Sequence, residues 1–298
     1  MIEITFLGTS CMQPTKDRNQ SGILLQYDQE LILMDCGEGI QRQMRIAGIK
    51  PAKVTRVLIS HWHGDHVFGL SGILSTMGID MQNQEKTLYI YGPKGTKKYL
   101  KHLVQSFAGK NLVNFEVKEI RKGVFYQNEK FLLKAQPLKH SQICLGFSFH
   151  EASKRKIMEA KAEKLGVSGP LLGELQRGKA VVVNGKKILP DDVSYILPGK
   201  KVSYIADTVP CDGANMLAKD ADVVISEGTH LDDIKEKAGK YLHLTVKDAA
   251  LIASENNAKK LVITHLSQRY KEPSEVLAEA KMYFANSVVA EDFMKVKV

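Results

Sequence analysis

Cysteine is scarce and scattered. The four, Cys11, Cys36, Cys144 and Cys211, lie far apart in 298 residues and form no Cys-x-x-Cys pair. A disulfide framework is excluded, and the thiols read as free groups of a reducing cytosol. No apolar run reaches the length of a membrane span, and Met1-Ile2-Glu3-Ile4 does not open a signal peptide. The expectation is a cytoplasmic protein with no membrane. Acid is the other shortage: 33 Asp and Glu face 42 Lys and Arg, a formal net charge of +9. An excess of that sign favours a polyanionic partner such as nucleic acid. The remaining composition is ordinary for a globular chain, 44% hydrophobic and 25% charged, in a length that suits one large domain or two average ones.

Against that background one stretch stands out, His61-Trp62-His63-Gly64-Asp65-His66. It follows Val57-Leu58-Ile59-Ser60, an apolar run that reads as a buried strand. Three imidazoles and a carboxylate thus fall together at a strand end. Gly64 allows a sharp bend, so His61 and His63 leave in one direction and Asp65 and His66 in another. Such an arrangement can feed two metal ions. Neutral imidazole nitrogen and carboxylate oxygen suit zinc, with manganese or iron as substitutes. Four ligands cannot complete two such sites, so the rest of the chain must supply more.

The chain repeats one pattern, an apolar strand that delivers a polar residue of ligand type. Residues 31–34 deliver Asp35, which could orient a metal-bound imidazole through its second nitrogen. A strand at 131–133 precedes His140, and residues 202–206 deliver Asp207. Residues 222–226 deliver Glu227, and 260–264 deliver His265. With Asp207 shared, the count closes. One ion takes His61, His63, His140 and Asp207; the other takes Asp65, His66, His265 and Asp207. Two ions about 3.5–4 Å apart can acidify a shared water and clamp an in-line phosphoryl displacement. Strands of this kind suit a sheet sandwiched between helices, and if they are neighbours their carboxyl ends form one rim.

Elsewhere the pattern is that of an α/β protein. Ile2, Ile4 and Phe6 alternate with polar residues in a half-buried strand. Leu100, Leu103, Val104 and Phe107 mark a helix within 94–107. Thr245-Val246-Lys247-Asp248 is a capping box that opens a helix just after His243, a natural anion contact. Two polar segments remain. Pro14-Thr15-Lys16-Asp17-Arg18-Asn19 puts two cations and an amide near a strand end, able to grip a phosphate backbone. Residues 151–190 carry nine Lys and Arg against four Asp and Glu, and glycines 166, 169, 173 and 178 break them repeatedly. Residues 168–173 would make a poor core element, and the whole reads as a mobile insertion that projects from the body as a binding arm.

The ordered set His61-x-His63-x-Asp65-His66, His140, Asp207 and His265 resembles the metallo-β-lactamase superfamily over nearly the whole chain. That resemblance implies an α/β fold, the αββα sandwich, as a single domain over 1–298. Its details are similar to the ribonuclease Z family, the tRNA 3′-processing endonucleases. The 14–19 segment resembles that family's Pro-x-Lys-x-Arg-Asn loop, and Gly169-Pro170 its protruding flexible arm. His265-Leu266-Ser267-Gln268-Arg269-Tyr270 resembles its last ligand motif, and His243-Leu244-Thr245 its His-x-Thr element. Ala206 stands where Gly is usual and Leu244 where Ser is usual; the reactive groups are intact.

The resemblance implies removal of the 3′ trailer from precursor tRNA, leaving a 3′-hydroxyl on the tRNA and a 5′-phosphate on the trailer. It implies two Zn2+ per subunit, a homodimer and an inserted tRNA-binding arm at 151–190. Asp65 would steer the attacking water or accept its proton. His243, supported by Glu227, would protonate the leaving 3′ oxygen. Lys16, Arg18, Asn19, Arg269, Gly169 and Pro170 would contact RNA. Two rivals share part of the pattern. A small-substrate hydrolase explains the metal ligands but neither the basic arm nor the 14–19 loop. A non-catalytic RNA-binding subunit would lack a ligand, and none is missing.

Overall fold

The computed structural model describes residues 1–80, 86–106 and 112–298; Phe107, included in the helical spacing above, lies outside them. The chain first builds β1 (Ile2–Gly8), β2 (Gly22–Tyr27) and β3 (Glu30–Met34), then α1 (Ile40–Ile46) and β4 (Arg56–Leu58). Next come α2 (Gly64–Val67), α3 (Leu70–Asp80), β5 (Thr87–Gly92), α4 (Thr96–Ser106) and β6 (Asn114–Glu119). It enters a second sheet with β7 (Gly123–Gln127), β8 (Phe131–Lys139) and β9 (Ile143–Glu151). A small unit intervenes: β10 (Lys154–Ile157), α5 (Glu159–Lys164), α6 (Pro170–Gln176), β11 (Val181–Val183), β12 (Lys186–Ile188), α7 (Pro190–Val193) and β13 (Ser194–Leu197). The second sheet resumes with β14 (Lys201–Ile205), α8 (Asp212–Ala218) and β15 (Val223–Glu227). It ends with α9 (Lys235–Tyr241), α10 (Val246–Glu255), β16 (Leu261–Thr264), α11 (Ser274–Tyr283) and β17 (Ser287–Val289). A last strand, β18 (Lys295–Lys297), returns to the first sheet beside β1.

The first sheet runs β18-β1-β2-β3-β4-β5-β6, and the second runs β17-β16-β15-β14-β9-β8-β7. Each buries apolar side chains on both faces. Outside the first sheet, Ile40 and Met44 of α1 and Ile73, Leu74 and Met77 of α3 pack on Leu33, Val57 and Ile90. Outside the second, Ala214 and Leu217 of α8 and Ala249, Ala250 and Ala253 of α10 pack on Val224 and Ile263. The inner faces meet through aromatic rings: Tyr27 and Phe149 are 5.2 Å apart, Tyr91 and Phe125 5.0 Å. Each such side chain contributes roughly 1.5–3 kcal/mol on burial. The layers are therefore helix, sheet, sheet, helix, as the metal motif implies.

The strands that deliver polar residues divide between the sheets, a difference from the single rim that their likeness suggests. β4 belongs to the first sheet, and β14, β15 and β16 lie parallel in the second. Register then sets the site. Met34 pairs with Leu58, so Asp35 and Ser60 emerge together and the Asp35 N–H donates to Leu58 O at 2.9 Å. Ile205 pairs with Ser226 and Glu227 with Thr264, so Asp207, Glu227 and His265 emerge on one edge.

A second unit comprises residues 127–132 and 150–200. It has a small core of its own, Ala162, Val167, Leu175, Val181, Ile188 and Val193, none of them within 168–173. All but Val167, which lies between α5 and α6, come from elements three to seven residues long, too short to show a period. Asn184-Gly185, both at positive φ, closes the β11–β12 hairpin.

Gly69 shows how closely the chain packs below the His61–His66 stretch. Its N–H donates to Cys36 O at 2.9 Å, and the Cys36 N–H donates to His66 O at 2.8 Å. A Cβ on Gly69 would lie 2.1 Å from Gly37 O and 3.0 Å from Cys36 Sγ. Gly69→Ala should therefore lower stability by about 1–3 kcal/mol, read as a lower midpoint in urea unfolding. An unchanged midpoint would contradict this packing.

Candidate metal centre and nucleic-acid contacts

All seven side chains expected to bind metal converge. His61 Nε2 lies 2.9 Å from His63 Nδ1, and His140 Nε2 3.3 Å from His63 Nδ1. Asp207 Oδ2 is 3.7 Å from His61 Nε2 and 3.9 Å from His140 Nε2. On the other side, His66 Nε2 and His265 Nε2 are 3.3 Å apart, each 3.3 Å from Asp65 Oδ2. Asp207 joins the two groups, with Oδ1 3.4 Å from His265 Nε2. A tetrahedral ion with bonds of about 2.0–2.1 Å sets its donors roughly 3.3 Å apart. His61, His63, His140 and Asp207 could hold one ion, and Asp65, His66 and His265 another.

The imidazoles are aimed by two buried carboxylates. Asp35 is fully buried. Its Oδ2 accepts from His66 Nδ1, Ser60 Oγ and Tyr204 OH, each at 2.8 Å, and its Oδ1 accepts from the Ser60 N–H at 2.8 Å. Ser60 Oγ in turn accepts from His61 Nδ1 at 3.0 Å. Glu227 repeats the device. It accepts from His243 Nδ1 at 3.1 Å and from Thr229 Oγ1 at 2.6 Å, and Thr229 Oγ1 accepts from His265 Nδ1 at 3.0 Å. His140 Nδ1 donates to Leu242 O at 2.9 Å. Four imidazoles thus present Nε2 to the centre with the tautomer fixed. Ser60, Thr229 and Tyr204 escaped the sequence reading. The two hydroxyls stand one and two residues from motif residues, a signal that could have been used; Tyr204 lies inside an apolar strand and gives none.

Three comparisons bear on what this geometry is. A family model described as Anti-Pycsar protein Apyc1 matches residues 2–158. The chain is 38% identical over 302 residues to Ribonuclease Z of Methanothermobacter thermautotrophicus, an alignment that covers all of this chain and 97% of that protein. The chain belongs to the ribonuclease Z family. Among solved structures it is similar to the short form of human tRNase Z (TM-score 0.72, 27% identity, 99% of each chain). It is also similar to the metallo-β-lactamase fold protein YhfI of Bacillus subtilis (TM-score 0.70, 19% identity, 99% of this chain and 98% of that one). The chain is a metal-dependent nuclease of the metallo-β-lactamase fold. No described helix is long and apolar enough to cross a membrane.

The residues of this ribonuclease Z chain fit a cation. Asp65 Oδ1 and Asp207 Oδ1 are buried and have no hydrogen-bond partner among the described residues. A buried acceptor left so costs about 1–3 kcal/mol, more when charged, and a cation at the centre removes that cost. Burial and the neighbouring His66 hold His61 well below its ordinary 6.5, so it is a neutral donor. Burial alone would raise Asp207, but His265, His66 and His243 hold it well below the carboxylate range. Burial also opposes the charge on His243; Glu227 and Asp207 outweigh it and raise His243 to about 9. His243 lines the same cavity, with Met12, His230 and Tyr241.

The expected RNA contacts separate into two kinds. The Lys16 side chain is exposed and lies 3.8 Å from the exposed Asp17, and Arg269, four residues after His265, is exposed. Arg18 instead turns inward: its Nη1 donates to Thr9 Oγ1 at 2.8 Å and Ala290 O at 2.6 Å. The Asn19 N–H donates to Asp292 Oδ2 at 2.8 Å, and its Nδ2 donates to Glu38 O at 2.7 Å. Gly169, at φ 57, and Pro170 begin α6 in the second unit.

Asp35→Ala removes the acceptor that aims His66 directly and His61 through Ser60. Loss of such an outer contact weakens metal binding by about 10–100-fold. Competition with a chelating dye should show that drop, whereas unchanged affinity would separate Asp35 from the metal centre.

Proposed function

We propose that this chain is a zinc-dependent endoribonuclease that removes the 3′ trailer from precursor tRNA, leaving a 3′-hydroxyl on the tRNA and a 5′-phosphate on the trailer. The observation that carries this reading is the set of seven converging donors, five of which line one cavity, with His243 beside them on its own carboxylate. His61, His63, His140 and Asp207 would hold one Zn2+, and Asp65, His66, His265 and Asp207 the other; Mn2+ or Fe2+ could substitute. When bound, the ions supply Lewis acidity, acidifying water and offsetting charge on the phosphoryl oxygens.

The chain does the rest. Asp65, itself one of the expected ligands, steers the attacking water or accepts its proton. His243 donates from Nε2 to the 3′ oxygen as it leaves, while Glu227 holds Nδ1. Lys16 and Arg269 hold flanking phosphates. Arg18 and Asn19 shape the loop that carries Lys16, through Thr9, Ala290 and Asp292. Residues 1–298 act as one metallo-β-lactamase-fold enzyme. Its inserted arm, 151–190 with Gly169 and Pro170, binds the tRNA. That segment's nine basic against four acidic residues support the role. The enzyme works as a homodimer, in the cytoplasm, where its four free cysteines stay reduced.

The second unit offers a clean test. Ile157 pairs with Ser194 across β10 and β13, so replacing 158–193 by Asn-Gly closes that hairpin. Cleavage of precursor tRNA should fall by about a hundred-fold or more, with hydrolysis of bis(p-nitrophenyl) phosphate kept within about two-fold. Equal loss on both substrates would contradict the arm.

A further inference from the structure

One residue of the metal motif has no part in the account above. Trp62, the chain's single tryptophan, lies between two expected ligands and faces a second cavity. That cavity, about 440 Å³, is lined by Trp62, Lys94, Tyr99, Ser141, Gln142 and Ile143. Ser141 also lines the metal cavity, and its Oγ is 3.5 Å from His63 Nε2. The two spaces therefore meet at Ser141, beside His63.

The aromatic wall is set in advance. Trp62 Nε1 donates to Thr96 Oγ1 at 3.0 Å, and buried Thr96 donates to Pro93 O at 2.7 Å. The Trp62 and Tyr99 rings are 5.3 Å apart and tilted 47°. Gly95, at φ 102, leaves room for Tyr99: a Cβ there would lie 2.9 Å from Tyr99 Cε2. Glu119 accepts from the Gly95 and Lys97 N–H groups at 3.0 Å, which anchors the start of α4. Tyr99 is 46% exposed and Ile143 59%, so flat apolar surface is open to a ligand. Lys94 places a cation at the rim, and Ser141 and Gln142 offer polar edges. Small-ligand sites occupy about 300–1,000 Å³, and an aromatic floor with a cationic rim is the chemistry that holds a single-stranded base.

Polarity follows from the order of the imidazoles. His140 stands between His63 and His243, its ring 5.0 Å from the first and 5.2 Å from the second. If His243 protonates the leaving 3′ oxygen, the tRNA lies on the His243 side. The trailer keeps the phosphate and departs past His63. We infer that the cavity takes the base of the first trailer nucleotide against Trp62 and Tyr99, with Lys94 at the next phosphate. This rests on the ribonuclease reading.

A single tryptophan makes the test direct. The metal-loaded enzyme is titrated with 5′-phosphorylated diuridylate, and with the same compound lacking its first base, while Trp62 emission is read. Saturable quenching by the first is expected, with binding weakened roughly ten-fold or more by loss of the base or by Tyr99→Ala. Diuridylate that inhibits hydrolysis of bis(p-nitrophenyl) phosphate without changing Trp62 emission overturns the inference, as does failure both to inhibit and to quench. In parallel, kcat/KM is compared for precursor tRNA with and without the first trailer base. The wild type should favour the intact precursor by about ten-fold, and Trp62→Leu and Tyr99→Ala should erase the preference. Equal cleavage of both precursors by the wild type removes the base site and leaves the ribonuclease standing. No cleavage of either removes the ribonuclease reading itself.

Discussion

Two buried carboxylates organise this protein. Asp35 and Glu227 each hold one imidazole directly and a second through a hydroxyl: His66 and His61 on the first, His243 and His265 on the second. A carboxylate taken out of water is costly unless its oxygens are filled. Asp35 receives four donors, and Glu227 receives His243, Thr229 and the Thr208 N–H. The same bonds that make burial tolerable fix which ring nitrogen faces the centre. Backbone strain is held there too: Asp35 and His265 both sit at left-handed φ, 58° and 60°. Non-glycine residues adopt that region at a cost of order 1–3 kcal/mol, sustained only where the surroundings over-determine it.

This arrangement depends on both sheets. The first supplies Asp35 and the His61–His66 stretch from neighbouring parallel strands. The second supplies Asp207, Glu227 and His265 from three more, with His140 between β8 and β9. Neither sheet holds a complete set of donors. The Leu145 N–H of β9 donates to Ser60 O at 3.0 Å, which ties the two sources together beside His61. Formation of the site and packing of the sheets are thus one event.

The ligands were legible because the fold writes them in a simple way: an apolar strand of fixed direction, then a polar residue at its carboxyl end. That pattern needs no knowledge of which strands are neighbours, and for that reason it left open whether they share one rim. The hydroxyl relays were not legible. Ser60 and Thr229 are common residues whose roles exist only once register brings Asp35 and Glu227 beside them. Arg18 shows the opposite limit. Its charge marks it for RNA, yet Thr9 and Ala290, far apart in sequence, take its guanidinium. β18 leaves little trace in the sequence, because Val296 alone among its three residues turns inward, opposite Ile4. The core of the second unit was hidden because its six buried residues are spread over short elements and the α5–α6 connection, and β11 and β12 hold two of them through an Asn-Gly turn.

The central claim is that this centre cuts precursor tRNA by direct attack of water. The most direct measurement incubates the zinc-loaded protein with a 5′-labelled tRNA precursor bearing a 3′ trailer, beside an Asp65→Ala control, and identifies the new ends. The account predicts one cut at the start of the trailer, a 3′-hydroxyl on the tRNA, a 5′-phosphate on the trailer and no cut in the control. A 2′,3′-cyclic phosphate would contradict attack by water, and an intact precursor alongside rapid hydrolysis of a small phosphodiester would contradict the tRNA substrate.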